Sequence, residues 1–418
     1  MSVNAEIIAV GSELLTPFRQ DTNSLFLTRR LNELGVEVGF KGIVGDSLEH
    51  IRDVTRTALW RADILIFTGG LGPTEDDLTR EGVAAALGVD LYRDADILAK
   101  LYARFASRHL TNMPRNNEKQ ADVVKGATVL ANPAGTAPGQ WIDTMFEGRP
   151  RIIVLLPGPP WELEKVWEAE CVSRFREKLP PAFIATRSLR VAMLPESTCD
   201  ARIAPIYKQY PDVQTTILAG AGDIELHLRA RSESLEAAQA RAGELADKLE
   251  EELDTYVYSN CGESLEQIVG YFLEMRGATL ATAESCTGGL LSQRITGVSG
   301  SSRYFLGGVV TYHNDLKSLF VGVPPLMIET HGSVSREVAV AMAEGVRHEC
   351  NAKIGVAITG IAGPTGGTTE KPVGLVYHAL HDGTKTEVVE RKFPPGDRSR
   401  IRLWASQQAL DMIRRHLM

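Results

Sequence analysis

The residues of this chain with the means to do chemistry sit beside glycine pairs. In Ala283-Glu284-Ser285-Cys286-Thr287-Gly288-Gly289, two hydroxyls and a thiol stand between an apolar run and an amphipathic one. Glycines permit close backbone approach, and free N–H groups at a helix start face an anion readily. Such a stretch can hold a phosphate, present a nucleophile, or cap a helix. A second stretch, Thr68-Gly69-Gly70-Leu71-Gly72-Pro73-Thr74-Glu75-Asp76-Asp77-Leu78-Thr79, joins a glycine nest to carboxylates. Gly69, Gly70 and Gly72 open a nest for an anion, and Asp76 and Asp77 begin the next helix. Acid beside a phosphate cradle implies a bridging divalent cation, because the like charges would otherwise repel. A third glycine-rich loop, Gly360-Ile361-Ala362-Gly363-Pro364-Thr365-Gly366-Gly367, follows the apolar run Ile354–Thr359.

Composition narrows the setting. A chain of 418 residues exceeds one ordinary core, so two or three domains are expected. With 44% hydrophobic and 23% charged residues it reads as globular, and no apolar run is long enough to span a bilayer. The start, Met1-Ser2-Val3-Asn4-Ala5-Glu6, lacks the pattern of a signal peptide, so the cytoplasm is the expected compartment. Cys171, Cys199, Cys261, Cys286 and Cys350 are widely spaced and show no paired metal spacing. A net charge of -8 argues against a general nucleic-acid binder.

The elements that must position these loops alternate in type. Strands are expected at Glu6–Val10, Val36–Val44 and Asp63–Phe67, with amphipathic helices over 21–34 and 47–59. That alternation predicts an α/β sheet covered on both faces, with ligands outside the carboxyl ends of its strands. Pro180-Pro181 marks a break. Beyond it come strands at 188–193, 215–219, 224–229 and 255–258 and a charged helix over 234–253, a small α+β unit. In the last third, Thr279–Thr282, Gly307–Tyr312 and Ile354–Thr359 read as strands, with Lys317 on a helix begun by His313-Asn314-Asp315. Arg398 opens the final helix.

The Thr68–Thr79 segment is similar to the signature of the molybdopterin-binding fold. Two more loops agree: Asn132-Pro133-Ala134-Gly135-Thr136-Ala137-Pro138-Gly139 and Leu156-Pro157-Gly158-Pro159-Pro160-Trp161-Glu162. The middle unit resembles a KH-type module. It has no Gly-x-x-Gly clamp, and Glu244, Asp247, Glu250, Glu251, Glu252 and Asp254 make its helix acidic, so a spacer and dimerisation role is expected rather than RNA binding. The Ala283–Gly289 stretch, Val298-Ser299-Gly300-Ser301-Ser302-Arg303, the Gly360–Gly367 loop, Glu370-Lys371-Pro372-Val373-Gly374 and Pro395-Gly396-Asp397-Arg398 together resemble the nicotinamide-nucleotide amidase domain of the CinA family. The resemblance covers nearly the whole chain. It implies a three-layer α/β molybdopterin-binding-like domain over 1–168, an α+β KH-type domain over 169–258 and an α/β amidase domain over 259–418.

The resemblance implies two activities of pyridine-nucleotide salvage. The last domain would hydrolyse the carboxamide of nicotinamide mononucleotide to nicotinate mononucleotide and ammonia, with no metal. The first would cleave the pyrophosphate of ADP-ribose with a divalent ion, Mg or Co, held by Asp46 and Asp77. By family spacing, Ser302 leads as the amidase nucleophile with Lys317 as its base and Tyr312 as relay; Ser285 or a water are the alternatives. Thr359, Gly360 and Gly363 would bind substrate or its oxyanion. Ser285, Thr287 and Gly288 would form one wall, and Arg398 would take the ribose phosphate. In the first domain Glu13, Gly69, Gly70, Gly72, Gly135, Thr136, Gly158 and Glu162 would line the substrate. Taken singly, each residue also has a plain structural reading, such as Asp46 capping the helix after it. A homodimer is the family expectation. The rival readings are a pterin nucleotide in molybdenum-cofactor assembly, or a nucleotide-binding accessory of DNA uptake without turnover.

Overall fold

Four buried residues in a row, Ile64 to Phe67, explain the first architecture. Ile64 and Ile66 point into one apolar core with Ile7, Leu27, Leu31 and Val154, while Leu65 and Phe67 point into another with Ile8, Ile51, Leu59 and Leu155. A strand buried on both faces needs helices on both sides, which is a three-layer domain. The computed structural model describes residues 3–107 and 113–418; Met1 and Ser2 of the N-terminal stretch lie outside them. The six-stranded sheet runs, in spatial order, Glu37–Val44, Asn4–Val10, Ile64–Thr68, Arg149–Leu156, Gly139–Phe146 and Thr128–Leu130. The first four are parallel and the last two join antiparallel.

The helices fall close to their expected places. The first spans Asn23–Glu33, with Asp21 Oδ1 accepting the Ser24 N–H at its start and Gly35 at φ 73° past its end. The second spans Leu48–Arg61 and is capped by Ser47, whose hydroxyl accepts from His50 N. Asp46 is therefore not the cap. Helical backbone runs from Pro160 to Lys178 and buries Trp167, Cys171 and Phe175 against the sheet, so the first core extends beyond residue 168.

The contacts of the chain divide it into two units, Met1–Ala185 with Arg231–Ala238, and Thr186–Ala230 with Gln239–Met418. In the second, a four-stranded sheet has the order Val213–Ala219, Asp223–Ser232, Phe183–Ala192, Val257–Ser259. Helices Glu196–Tyr207 and Leu235–Leu253 cover one face through Cys199, Ile203, Leu245 and Leu249. A five-stranded sheet follows, ordered Phe305–Val310, Leu280–Glu284, Ile354–Gly360, Leu375–His381, Thr386–Lys392, its first three strands parallel. Helices Leu265–Met275, Leu290–Thr296 and Arg398–Leu417 pack on one face and Arg336–Glu349 on the other. The strand expected to end on Tyr312 stops at Val310, because after Thr311 N–H reaches Glu284 O the chain turns into the helix Asn314–Val321. Among the described residues no helix is long and apolar enough to cross a membrane.

Phe67 fills the first domain from the centre of its sheet. Replacing it with alanine should cost about 3–5 kcal/mol, read as an earlier denaturant transition of the first unit.

Candidate functional sites

The carboxyl ends of the parallel strands carry the chemistry in both units. In the first unit they open on a cleft of about 620 Å³, lined by residues of five loops including Glu13, Asp46, Gly69, Asp77, Thr136 and Gly158. Gly69 has φ 98°, and a Cβ there would lie 2.2 Å from Val10 O, so this turn accepts no side chain. It is held from inside. Thr79 Oγ1 donates to Gly69 O at 2.8 Å, and the buried Arg80 guanidinium donates to Leu71 O at 2.9 Å and Gly72 O at 3.1 Å. Burial pushes the Arg80 pKa down. Nothing in the sequence marks Arg80 off from a helix-surface arginine; only its burial identifies it.

The expected acids stand on two different loops of this cleft. Asp46 Oδ2 accepts Ser12 N–H at 2.7 Å while Ser12 Oγ accepts Asp46 N–H at 3.1 Å, so the first loop is latched to the end of the second strand. Asp77 Oδ2 accepts Thr74 N–H at 2.8 Å and also the Thr74 hydroxyl. Gly70 and Gly72 line the cleft with them. Gly135 is not among the residues that line the cleft, whereas Glu162 lines it and also braces the Asn132–Gly139 loop, its Oε2 lying over Gly135 and accepting from Asn132 Nδ2 at 2.8 Å. Asn23, another residue the sequence did not single out, ties the first helix to Thr68 Oγ1 at 2.8 Å and Gly158 O at 2.7 Å.

In the second unit the central residue is Lys317. Its side chain is 1% exposed, and its ammonium donates to Thr311 O at 2.8 Å and Ser285 Oγ at 3.3 Å. Burial drives its pKa below the usual 10.5, since no carboxylate is bonded to it. Ser285 follows the strand Leu280–Glu284 and is fixed by its own N–H to Ile358 O at 2.9 Å. Cys286 is buried and its thiol is pushed up to about 12, an inert state.

Ser302 does not meet Lys317. It is exposed on the short 3-10 turn Ser301–Arg303, which precedes the strand Phe305–Val310. Lys317 and Ser285 lie past the other end, and six residues of strand separate the two edges by about 16 Å. The serine-rich turn thus belongs to the opposite rim of the sheet. The expected pairing of Ser302 with Lys317 is corrected by this geometry: the serine within hydrogen-bond reach of the lysine is Ser285.

The remaining residues gather on the Ser285 rim. Arg398 donates from Nη2 to the Tyr312 hydroxyl at 2.8 Å and from Nη1 to Gly363 O at 2.8 Å, bridging the tyrosine and the glycine loop. Tyr312 itself is 60% exposed. The Thr359 hydroxyl, buried, donates to Ser333 O at 2.7 Å and so holds a neighbouring loop. Gly360 continues the same strand. Thr287 and Gly288 form the turn, and Arg402 donates twice to Thr287 O, at 3.1 and 2.6 Å. Arg402 was missed, although its position four residues after Arg398 puts both on one helix face. Glu284 was also missed. It is fully buried, and its carboxylate accepts from Leu291 N at 3.0 Å, Ser292 N at 2.8 Å and Ser292 Oγ at 2.6 Å, which pins the start of the helix Leu290–Thr296.

Comparison with known proteins accounts for the whole length. Residues 6–177 match the family model "Probable molybdopterin binding domain", 186–259 match "Damage-inducible protein CinA KH domain", and 262–417 match "CinA C-terminal domain". The CinA-like protein of Koribacter versatilis is 62% identical over 99% of this chain and 99% of its own. That of Acidobacterium capsulatum is 58% identical over 99% of this chain and 100% of its own. That of Solibacter usitatus is 46% identical over 99% and 98%.

The lowered pKa of Lys317 has a sign that can be checked. Between its folded value and 10.5 the unfolded chain binds the extra proton, so this residue makes stability rise with pH across that window. Denaturant unfolding of the wild type minus that of Lys317→Met should shift in favour of the wild type as pH rises from 7 toward 10.

Proposed function

The chain belongs to the CinA family, and on that premise we propose that it is a two-activity hydrolase of pyridine-nucleotide salvage. Its last domain deamidates nicotinamide mononucleotide, and its first cleaves the diphosphate of ADP-ribose. The single observation that carries the amidase reading is the buried Lys317 amine in hydrogen-bond reach of Ser285. An amide is a poor electrophile, so its hydrolysis needs an activated nucleophile and a proton source for the leaving amine. A lysine desolvated in this way is neutral more readily, and the contact then reverses, with Ser285 Oγ–H donating to Nζ.

Ser285 Oγ attacks the carboxamide carbon as its proton passes to Lys317 Nζ. The C–N bond breaks, and the departing nitrogen takes that proton to leave as ammonia. Water, giving its proton to Lys317, then cleaves the acyl ester and restores Ser285 with release of the carboxylate. Tyr312, polarised by Arg398, is a donor on the same rim for the developing negative charge. Arg398 on the first turn of the last helix suits the ribose phosphate, while Arg402 holds the Thr287 turn beside it.

For the first domain, the support is a glycine nest and two carboxylates lining one cleft. The donors are oxygens only, which fits a hard divalent cation such as Mg and is open to the borderline ion Co; Asp46 and Asp77 would hold it through the oxygens not engaged by Ser12 and Thr74. Among the described residues no cluster of three or more His, Cys, Asp or Glu forms, so the substrate diphosphate would complete the set. When bound, the cation neutralises diphosphate charge. Arg80, beneath the nest, adds fixed positive charge to the same end. The match to a molybdopterin-binding domain favours a second reading for this cleft, binding of a pterin nucleotide.

Ammonia release from nicotinamide mononucleotide by the full chain tests the first activity; no ammonia across a range of pH would refute it. Ser285→Ala should lower that rate by roughly 10³-fold or more, as should Lys317→Ala, whereas Ser302→Ala should retain it. All three should still convert ADP-ribose to AMP. Conversely, Asp77→Asn should remove metal-dependent AMP formation and spare ammonia release; loss of both together would count against two separate sites.

A further inference from the structure

The cleft of the first unit has a feature that neither the nest nor the acids account for. Trp161 is the single aromatic among the described residues that line it, and its side chain is 63% exposed. The other tryptophan of this helical segment, Trp167, is fully buried in the core. An indole left mostly in water contributes little burial to the fold. Its backbone is nonetheless fixed. Pro159 and Pro160 open its helix, and the next residue, Glu162, is bonded to Asn132. The loop before it is fastened to the nest: a Cβ on Gly158 would lie 3.4 Å from Gly69 Cα, and Asn23 joins Gly158 O to Thr68. Three residues of chain from Gly158 reach at most about 11 Å, so the Trp161 backbone stands within a nucleotide's length of the anion site, and its side chain lines the same cleft.

A second group points to the same kind of ligand. Gln120 lines the cleft at 3% exposure, and its Oε1 has no hydrogen-bond partner. A buried acceptor without a donor is costly, and a ligand N–H or O–H would satisfy it. The geometry points to Trp161 as a stacking shelf for a flat heteroaromatic ring whose phosphate lies in the Gly69–Gly72 nest, with Gln120 Oε1 accepting from an amino or hydroxyl group of the same ligand. This rests on the proposed diphosphate site and specifies what its substrate must carry: a base, not a sugar diphosphate alone. Adenine and pterin share that chemistry.

Titration calorimetry on the full chain separates the possibilities, with AMP, a pterin phosphate monoester and inorganic phosphate as probes. Trp161→Ala should weaken binding of the ring-bearing probe by about 5- to 150-fold, Trp161→Phe should restore most of it, and the affinity for inorganic phosphate should not move. For hydrolysis, kcat/KM for ADP-ribose relative to a base-free sugar diphosphate should fall by a similar factor in Trp161→Ala. Equal affinities in wild type and Trp161→Ala, or equal losses for all three probes, would overturn the shelf. AMP binding through Trp161 without any ADP-ribose hydrolysis would keep the shelf and refute the hydrolase reading. Preference for the pterin probe would keep the shelf and move the ligand.

Discussion

An amine taken out of water and left without a carboxylate is the constraint on which the second unit turns. Lys317 is enclosed between its own helix and the ends of two parallel strands, with a carbonyl and a hydroxyl for partners. Its charged form lacks an opposite charge, so the neutral form gains at its expense. Surrounding contacts keep the enclosure in register. Thr311 N–H holds Glu284 O, the Glu284 carboxylate pins the following helix, and Arg402 grips the turn between them through Thr287 O. Each replaces water at a polar group that the closed rim would otherwise strand.

The first unit applies the same economy to the opposite charge. Its nest exposes backbone dipoles toward the cleft, while Arg80 satisfies the carbonyls on the inner side. The turn is rigid because a buried cation and a threonine hydroxyl hold it, and it can therefore meet an anion without rearrangement. Asp46 and Asp77 are each latched to backbone N–H groups, which fixes where their carboxylates stand. Rigid acids around a rigid nest suit a diphosphate better than a flexible loop would.

Much of this was legible in the chain itself. Short runs such as Ile64–Phe67 and Ile354–Ile358, rich in β-branched residues and closed by glycine loops, read as strands buried on both faces, which puts those loops at the carboxyl edge. Other features were not legible because they depend on which rim of a sheet a residue reaches. Ser302 and Ser285 both sit in glycine-flanked turns, yet one precedes an edge strand and the other follows the strand beside it. Glu162 and Thr359 read as ligands for substrate, and tertiary contacts show that each side chain also braces a loop, Glu162 while lining the cleft.

The sequence by itself therefore determined the α/β alternation, the central strands and the loops that carry function, since periodicity and glycine placement are local properties, whereas the strand order of each sheet and the strands Gly139–Phe146, Leu375–His381 and Thr386–Lys392 came only with the tertiary structure. Only the tertiary structure decided which serine faces the lysine, that the lysine is desolvated, and that Arg80, Glu284 and Arg402 hold the loops from behind. Those outcomes come from residues 7 to 115 positions apart meeting in space, and no local pattern encodes such a meeting.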